Sequence, residues 1–375
     1  MKIGVDIRSL IATPYGGVVE YGKNLLPALL AVADEHEFIL FANSFNNTPL
    51  PEWLLPYEER VRMFHYPNKF FSLTTRVGGF PKLDKLIGGA DVWFSPHMLP
   101  APVSPSVPRV TTFHDISFER FPYFFDARRR MWHGFMNPRA QAQASARVIV
   151  PSDATRQDVV AFYGVPPAHV KVIYPGVPSH PSPTREDRLE NFPYILSLCT
   201  LEPRKNLVSV IAAFGRVAHL PVLANHHLIL AGPAGWSWRG IERAAAASPY
   251  REKIHILGSV SPSRAAALYE GASLFVYPSF YEGFGFPPLE AMAHGVPVIA
   301  SMTSSLPEVV GEAGVLVDPH RVETLGALLV EIMGDTSLRK ELSRKGREQA
   351  SQFSWEKAAR QTQAVLEEAF FHRER

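Results

Sequence analysis

The sequence predicts an α/β protein made of two doubly wound domains, each with a parallel sheet. Short apolar runs alternate with helix-like segments along almost the whole chain, which is typical of strand–helix–strand units. The alternation stops in a proline-rich segment, 174–193, and then starts again. With 375 residues the chain is long enough for two domains that each have their own core.

The amino-acid composition limits the classes of protein to which this chain can belong. A hydrophobic fraction of 46% and a charged fraction of 20% are ordinary for a globular protein. The net charge is +2 and the basic residues are scattered, so nucleic acid is not an expected partner. The single cysteine, Cys199, cannot form an internal disulfide. That favours a reducing compartment, and we expect the cytoplasm.

The N-terminal run MKIGVDIRSL predicts a first strand at 2–7. Asp6 and Arg8 interrupt its apolar residues, which argues against a signal peptide or a membrane span, and no later run is long enough to span. A loop at 14–17 contains Gly16 and Gly17 and precedes a helix. No G-x-G-x-x-G pattern follows the strand, so this is not the dinucleotide-binding fingerprint. By themselves the two glycines indicate a tight turn.

The rest of the first half continues the alternation. Further strands are predicted at 38–42, 61–65, 91–94, 109–113, 147–150 and 170–173, with helices at 18–32, around 73–87, up to about 146 and at 153–163. The strand at 109–113 ends in His114 and Asp115. This places an imidazole and a carboxylate at a strand's carboxyl end, where ligands of parallel sheets gather. A lone histidine is more often a hydrogen-bonded structural residue than a catalytic one, but its position at the strand end leaves both readings open.

The segment 118–146 combines aromatic and basic residues. A peripheral membrane contact would use such a composition. We favour instead a helix that packs Met131, Trp132 and Phe135 against its domain and leaves Arg128 to Arg130 in solvent.

The segment 174–193 has the composition of a linker. It separates a predicted first domain, 1–178, from a second, 190–353, and the final helix, 354–375, is assigned to the first domain. In the second domain we predict strands at 194–198, 227–231 and 253–257, and helices at 207–218, 239–247, 263–271, 322–333 and 338–350. The turn LEPRKN after the first of these strands contains Arg204 and Lys205 beside a helix N-terminus. Adjacent positive charges repel, so a bound anion would relieve them.

The segment 273–301 predicts strand, glycine-rich loop, short helix and strand. The loop 282–286 is expected to face a ligand, since it follows a strand's carboxyl end. Gly283 and Gly285 let the backbone approach a bound group, and the N–H groups here favour an anion such as phosphate. Glu282 and Glu290 lie before and within the helix, and their carboxylates can accept hydrogen bonds from sugar hydroxyls.

The spacing of Glu282 and Glu290, with EGFGFPPLEAMAHGVPVIAS and SSLPEVVGEAGVLVDP around them, resembles the donor-binding region of retaining GT-B glycosyltransferases of family 4. The resemblance covers nearly the whole chain. It implies two facing Rossmann-like domains with a cleft between them and a C-terminal helix that returns to the first domain. Loops of the first domain would receive the acceptor.

The resemblance also assigns roles to residues. Glu282 would contact the donor sugar and Glu290 the ribose, while the loop Gly283, Phe284, Gly285 and Phe286 would hold the donor. Lys205 would contact the donor diphosphate, with Arg204 as second cation, because Cys199 and Thr200 stand where relatives have an arginine. His114 would lie near the donor sugar. Gly16 and Gly17 would border the donor pyrophosphate, a reading that stands beside the plain turn.

The resemblance is strongest to bacterial mannosyltransferases of surface polysaccharide assembly. It implies GDP-mannose as donor and a hydroxyl of a glycan or lipid-linked glycan as acceptor, with a UDP-hexose donor or a non-catalytic nucleotide-sugar-binding subunit as alternatives. No Asp-x-Asp pair and no Cys/His metal spacing occurs in the sequence. We therefore expect neither a metal nor another cofactor.

Overall fold

The computed structural model describes residues 1–12, 16–46, 48–184, 187 and 190–371. Residues 14 and 15 of the predicted glycine loop, and four residues of the predicted linker, lie outside this part. The chain divides into two compact units. The first comprises Met1–Pro122, Ala127–Gly176 and the segment from Ser354 onward, and the second comprises Tyr123–Asp126 and Val177–Phe353.

The first unit is built on a seven-stranded sheet in the order β3-β2-β1-β4-β5-β6-β7, in which all neighbours are parallel. Most of these strands are almost entirely buried, as expected for a sheet covered on both faces. All seven predicted strands are present, with ends that shift by at most one residue. The strands are β1 (Lys2–Asp6), β2 (Glu37–Asn43), β3 (Val61–Phe64), β4 (Val92–Ser95), β5 (Arg109–Thr112), β6 (Arg147–Val150) and β7 (Val170–Val172).

The helices of this unit include two that the sequence did not predict and one region where the prediction was wrong. The unpredicted helices are α1 (Arg8–Ala12), directly after β1, and α5 (Ser117–Arg120). The region 73–87 is not one helix, because Gly79 has φ of +58° and Pro81 follows. A π-helical segment, Thr74–Gly78, ends at this break, and the next helix begins at Leu83. The helices are α1 (Arg8–Ala12), α2 (Gly17–Val32), α3 (Asn68–Leu73), α4 (Leu83–Leu86), α5 (Ser117–Arg120), α6 (Ala127–Met136), α7 (Pro138–Gln143) and α8 (Asp153–Tyr163).

The predicted packing of α6 was also wrong. Met131 is 72% exposed, Trp132 44% and Phe135 37%, and only Met136 of this helix is buried. Arg128 lies on the same helical face, because it precedes Met131 by three residues, Trp132 by four and Phe135 by seven. An arginine resists burial without a partner, so this face stays in solvent.

The C-terminal helix belongs to the first unit, as predicted. Its apolar stripe of Ala358, Val365 and Leu366 is buried, and it packs against α2 and β4. Ser354 accepts a hydrogen bond from the Lys357 N–H at 3.4 Å, the N-cap contact expected there. None of the helices in the described ranges is long and apolar enough to cross a membrane.

The second unit has a six-stranded parallel sheet in the order β10-β9-β8-β11-β12-β13. Its strands are β8 (Tyr194–Leu198), β9 (His227–Ala231), β10 (Ile254–Gly258), β11 (Leu274–Tyr277), β12 (Val298–Ser301) and β13 (Val315–Val317). The remaining helices are α9 (Leu207–Val217), α10 (Arg239–Ala247), α11 (Pro262–Gly271), α12 (Phe286–Ala293), α13 (Leu306–Val310), α14 (Val322–Gly334), α15 (Thr336–Ala350) and the C-terminal α16 (Trp355–Phe371). This is the doubly wound, Rossmann-like strand order, and both units have it at their centre.

The order of the strands decides where ligands can bind. In a doubly wound sheet the crevice opens where the order reverses, outside the carboxyl ends of the two central strands. In the second unit these strands are β8 and β11. The turn with Arg204 and Lys205 follows β8 and the loop with Glu282 follows β11, so the fold brings these two segments together.

Candidate active site

The predicted donor turn and the predicted donor loop are in direct contact. Lys205 Nζ donates to Glu282 Oε1 at 2.6 Å, and Arg204 Nη1 donates to Glu282 Oε2 at 3.0 Å. Arg204 Nη2 also lies 2.7 Å from Glu202 Oε1. The side chains of all four residues are nearly buried, so the two cations do not form a solvated turn.

This geometry changes the expected charge balance. The two cations were expected to await an anion, but two carboxylates of the chain already face them. Burial would raise the pKa of Glu282, yet the charges of Arg204 and Lys205 outweigh burial and lower this pKa to about 2. Burial raises the pKa of Glu202, against the effect of the same cations. Glu282 is therefore ionised at neutral pH and cannot act as a proton donor.

Two further side chains hold the Glu282 carboxylate. Ser279 Oγ donates to Oε1 at 2.6 Å and the Tyr277 hydroxyl donates to the same oxygen at 3.0 Å. Tyr277 also accepts a hydrogen bond from Lys205 Nζ at 2.8 Å. Oε1 thus has three donors and Oε2 has one, so Oε2 keeps the capacity to accept from a sugar hydroxyl.

Cys199 stands beside this cluster, where the resembled family has an arginine. It is a free, buried thiol, and burial raises its pKa to about 12. A protonated thiol contributes no charge, so Arg204 and Lys205 are the cations of the turn.

The backbone around the cluster is fixed by side chains. Asn206, in the left-handed region with φ of +57°, donates to the carbonyls of Pro278 at 3.1 Å and Pro319 at 2.7 Å. On the other side, the Glu282 N–H donates to Ser304 Oγ at 2.9 Å and Ser305 Oγ donates to the Phe284 carbonyl at 2.6 Å. The turn and the loop are thus preorganised.

The loop 283–286 leads into α12. Gly285 is its N-cap with φ of +118°, a conformation that favours glycine, and a Cβ there would lie 2.7 Å from Leu306 Cδ2. Pro287 and Pro288 follow. Because proline has no backbone N–H, the backbone donors at the start of this helix come from the loop residues before the two prolines. Phe284 is buried and packs edge to face on Phe286, with ring centroids 5.3 Å apart.

Glu290 lies one turn into α12 and is 7% exposed. The Tyr269 hydroxyl donates to its Oε2 at 2.7 Å, and His180 Nε2 lies 3.4 Å from the same oxygen. Both contacts fix one carboxylate oxygen.

In the first unit, His114 lies two residues beyond the end of β5. Its Nε2–H donates to the Pro96 carbonyl at 2.8 Å, and its ring packs edge to face on Tyr21 with centroids 4.7 Å apart. Burial lowers the pKa of His114 to about 4, against the opposing effects of the Pro96 hydrogen bond and Asp115. The ring is neutral at pH 7, and since Nε2 carries the proton, Nδ1 is an acceptor.

Gly16 and Gly17 lie at the start of α2, also in the first unit. Gly16 is the N-cap with φ of +128°, a conformation that favours glycine. A Cβ on either glycine would meet no atom of the described residues within 4 Å, chain neighbours apart. Both the plain turn and a ligand-facing loop fit this geometry.

A buried polar cluster at the switch point of the first sheet was missed. Arg8 donates to Asp6 through Nε at 2.9 Å and Nη2 at 2.6 Å, and His97 Nε2 lies 3.4 Å from Asp6 Oδ1. Burial would raise the pKa of Asp6, but Arg8 and His97 hold it far below its usual range. In the sequence, Asp6 and Arg8 are recognisable only as breaks in an apolar run.

The sequence also did not predict four further residues that contribute to the site: Glu202, Ser279, Tyr277 and Tyr269. Glu202 and Ser279 lie within three residues of predicted site residues, so their proximity was a usable signal. Tyr277 and Tyr269 lie in a strand and a helix that the sequence indicates only as buried, and no local pattern marks their hydroxyls.

For metal ligands, the part of the chain that the structure describes has one group of three close residues: Glu35, His36 and Glu367 in the first unit. Gln363 Nε2 already donates to Glu35 at 2.6 Å and to Glu367 at 3.0 Å. In the donor turn and loop, Glu202 and Glu282 are paired with Arg204 and Lys205.

Comparison with known proteins identifies the family. The family described as glycosyl transferases group 1 matches residues 182–349, and the family described as Glycosyltransferase Family 4 matches residues 15–180. The first match contains the donor turn and loop. The second contains His114, Gly16 and Gly17.

Two curated relatives are mannosyltransferases. The O-antigen chain mannosyltransferase B of Escherichia coli is 34% identical over 267 residues, which cover 68% of each chain. The MMP alpha-(1->4)-mannosyltransferase of Mycolicibacterium hassiacum is 32% identical over 252 residues, 64% of this chain and 58% of that protein. The chain therefore belongs to the family 4 and group 1 glycosyltransferases.

Solved structures share the fold over nearly the full length. Sucrose-phosphate synthase of Thermosynechococcus elongatus superimposes with a TM-score of 0.78 at 21% identity, covering 99% of this chain and 100% of that one. HepE of Anabaena, in complex with UDP and glucose, gives 0.70 at 17% identity, covering 98% and 99%. The fold is thus the GT-B fold of glycosyltransferases.

Proposed function

We propose that this protein is a retaining, metal-independent hexosyltransferase that moves mannose from GDP-mannose to a hydroxyl of a glycan or lipid-linked glycan in bacterial surface polysaccharide synthesis. The observation that supports this best is the buried cluster of Arg204 and Lys205 with Glu282 at the switch point of the second sheet. It combines cations for a diphosphate with an ionised carboxylate for a sugar hydroxyl.

Leaving-group stabilisation would come from the cations and the helix start. Negative charge grows on the diphosphate as the glycosidic bond breaks, and fixed positive groups stabilise it without reorganisation. Lys205 has a third N–H beyond the two donated to Glu282 and Tyr277. In this proposal that N–H meets a diphosphate oxygen, and the backbone N–H groups of 283–286 meet the other phosphate.

The carboxylates would bind hydroxyls rather than transfer protons. Glu282 has a pKa of about 2 and is held by two cations, which does not suit the general acid of a glycosidase. Glu290 would accept from the ribose hydroxyls through Oε1, since Tyr269 and His180 hold its Oε2. Retention would follow from attack on the leaving-group face: the acceptor oxygen bonds to the anomeric carbon and its proton passes to the departing phosphate oxygen.

In the first unit, His114 would orient the sugar. Its neutral ring presents Nδ1 as an acceptor, while Nε2–H is held by Pro96. Gly16 and Gly17 would border the pyrophosphate, and loops such as 96–108 would receive the acceptor.

The donor sugar rests on the relatives. Both mannosyltransferases favour mannose, and the O-antigen enzyme favours a surface polysaccharide as the product. A UDP-hexose is the second candidate, because HepE holds UDP and glucose on the same fold.

We also propose that the protein acts in the reducing cytoplasm and contacts the inner face of the membrane. The free thiol of Cys199 suits a reducing compartment.

The exposed face of α6 lies beside a second exposed apolar residue, Val77, which is 72% exposed. The two are close because Arg76, next to Val77, donates through Nε to the Phe135 carbonyl at 2.6 Å. With Arg128 to Arg130 on α6, this surface suits anionic lipid. Sedimentation with phosphatidylglycerol vesicles should recover less of a Met131→Ser/Trp132→Ser variant than of wild type, and equal recovery would reject this contact.

The catalytic proposal is tested with purified protein, GDP-mannose and UDP-glucose, with and without EDTA. We expect a thermal shift with GDP and GDP-mannose, since ligand at a hundredfold excess over Kd adds about 2.7 kcal/mol of stability. Transfer or slow donor hydrolysis should survive EDTA, and proton NMR of the product should show the donor's anomeric configuration. A strict requirement for Mn²⁺ or Mg²⁺, or an inverted product, would reject the metal-independent retaining reaction. Nucleotide binding without any turnover would favour the non-catalytic subunit.

A further inference from the structure

A groove with a volume of about 570 Å³ lies in the second unit. The order of elements in the sheet places it away from the donor turn. Ser273 and Pro297, which precede β11 and β12, form one wall, and α15 forms the other. Arg204, Lys205 and Glu282 follow the carboxyl ends of β8 and β11. The groove is therefore at the opposite edge of the same sheet.

One face of α15 gives the groove its charge. The groove is lined by four basic residues of this helix: Arg339, Lys340, Arg344 and Arg347. Their spacings of one, four and three residues place them along one side of the helix. Glu348 is the acidic residue among those that line the groove. Four cations therefore face one carboxylate, whereas at the donor turn two cations face two carboxylates.

Within the described part of the chain, Arg344 is the one cation of these four that forms an ion pair with a carboxylate. Arg344 pairs with Glu348 at 2.6 Å, but both side chains are about 60% exposed, so the pair is weak and easily exchanged. Arg347 Nη1 donates to the neutral Ser343 Oγ at 2.9 Å. Arg339 donates to the Ile332 carbonyl at 2.9 Å and to Thr336 Oγ1 at 3.1 Å, both of them neutral groups.

Arg347 is also held in place. A Cβ on Gly295, at the end of α12, would lie 2.1 Å from its guanidinium carbon, so the guanidinium lies directly over that glycine. Its Nη2 reaches the His294 carbonyl at 3.4 Å. A positioned guanidinium beside flexible cations and hydroxyl groups is a donor set that suits oxygen-rich anions.

We propose that this groove binds a small anion that carries phosphate groups, at a site separate from the donor turn. The volume is in the range of small-molecule sites. Guanidinium forks bind phosphate oxygens in pairs, Lys340 adds a mobile point charge, and the hydroxyls of Ser343 and Thr336 add neutral donors. The site does not depend on the proposed transferase reaction.

Isothermal titration calorimetry with sodium pyrophosphate tests the proposal on four proteins. The groove variant is Lys340→Gln/Arg344→Gln, in which both side chains are exposed, so that folding is preserved. The matched control is Lys345→Gln on the same helix, whose partner is Glu341 and which does not line the groove. Lys205→Ala reports binding at the donor turn.

All titrations contain saturating GDP, which occupies the donor turn in the proposed function and leaves the groove as the site for pyrophosphate. The expected result is that pyrophosphate then binds wild type and Lys345→Gln alike, binds the groove variant at least tenfold more weakly, and still binds Lys205→Ala at the groove. Affinity should fall as NaCl is raised, because the contacts are ionic. Binding that is unchanged in the groove variant, or that Lys205→Ala abolishes, would overturn the proposal.

A second measurement distinguishes a free anion from a lipid headgroup. Phosphatidylglycerol vesicles are sedimented with wild type and with the groove variant. If vesicles bind in a manner that depends on Lys340 and Arg344 while pyrophosphate gives no heat, the ligand is a lipid headgroup and the small-anion proposal is wrong. If pyrophosphate binds and the vesicles recover both proteins equally, the small anion is supported.

Discussion

Replacement of Lys205 tests whether the donor turn stabilises a leaving diphosphate. Two of its three N–H groups are used, at 2.6 Å to Glu282 and 2.8 Å to Tyr277. The third is the donor that the proposal assigns to the diphosphate. We expect Lys205→Ala to lower kcat by about 10² to 10³, or about 2.7–4 kcal/mol, as when one preorganised donor to a developing negative charge is lost. Nucleotide affinity should fall less, because the charge is smaller in the ground state.

The same substitution has a structural cost that must be measured separately. Loss of one partner from a buried ion pair costs about 3–5 kcal/mol when the other charge is left alone. Arg204 still lies 3.0 Å from Glu282, so we expect the lower end of that range. For a unit of this size, about 3 kcal/mol lowers the melting temperature by roughly 6–12 °C. Steady-state kinetics at 25 °C and circular dichroism melts on the same samples separate the two effects.

Two control variants complete this experiment. Tyr277→Phe removes the hydroxyl that bridges Lys205 and Glu282 but keeps both charges, so kcat should fall less than tenfold, since a neutral hydrogen bond contributes about 0.5–1.5 kcal/mol. Arg216→Ala on α9 removes an exposed ion pair with Glu323 and should change nothing. A folded Lys205→Ala enzyme with wild-type kcat would refute the leaving-group role. A loss in Tyr277→Phe as large as in Lys205→Ala would instead assign the effect to the position of Glu282.

Three further predictions concern other parts of the chain. Glu290→Ala removes a contact common to ground and transition states, so the donor KM should rise while kcat changes little; a fall in kcat at constant KM would argue against ribose binding. Burial lowers the pKa of His114 to about 4, so the unfolded chain binds this proton first as the pH falls below about 6.5. The contribution of His114 to stability is therefore full above pH 6.5 and is lost towards pH 4, and melts at pH 7 and pH 5 should show a smaller loss for His114→Gln than for wild type. Leu366 on α16 is fully buried, so Leu366→Ala should cost about 2–5 kcal/mol in a denaturation experiment, whereas the exposed Glu356→Ala on the same helix should stay within about 0.5 kcal/mol.

Local patterns determined the elements and much of the site. Buried parallel strands show as continuous apolar runs, and every strand predicted from such a run is present in the structure. Gly285 was expected at a special backbone position, and its φ of +118° lies in the region that favours glycine. Its approach to a bound group stays a prediction. The block of residues around Glu282 and Glu290 is also sufficient by itself to indicate the family. These features are readable because each depends on residues that are adjacent in the chain.

Only the tertiary structure decided what each charge and each apolar face meets. Arg204 and Lys205 looked like cations in need of an anion, but Glu282 lies more than seventy residues away and reaches them because β8 and β11 are neighbours. The stripe of Met131, Trp132 and Phe135 looked like a packing face, yet it lies in solvent. Helical periodicity marks a face as apolar, but it does not say whether another element covers that face. Partners distant in sequence are set by strand order and packing, and no local pattern encodes them.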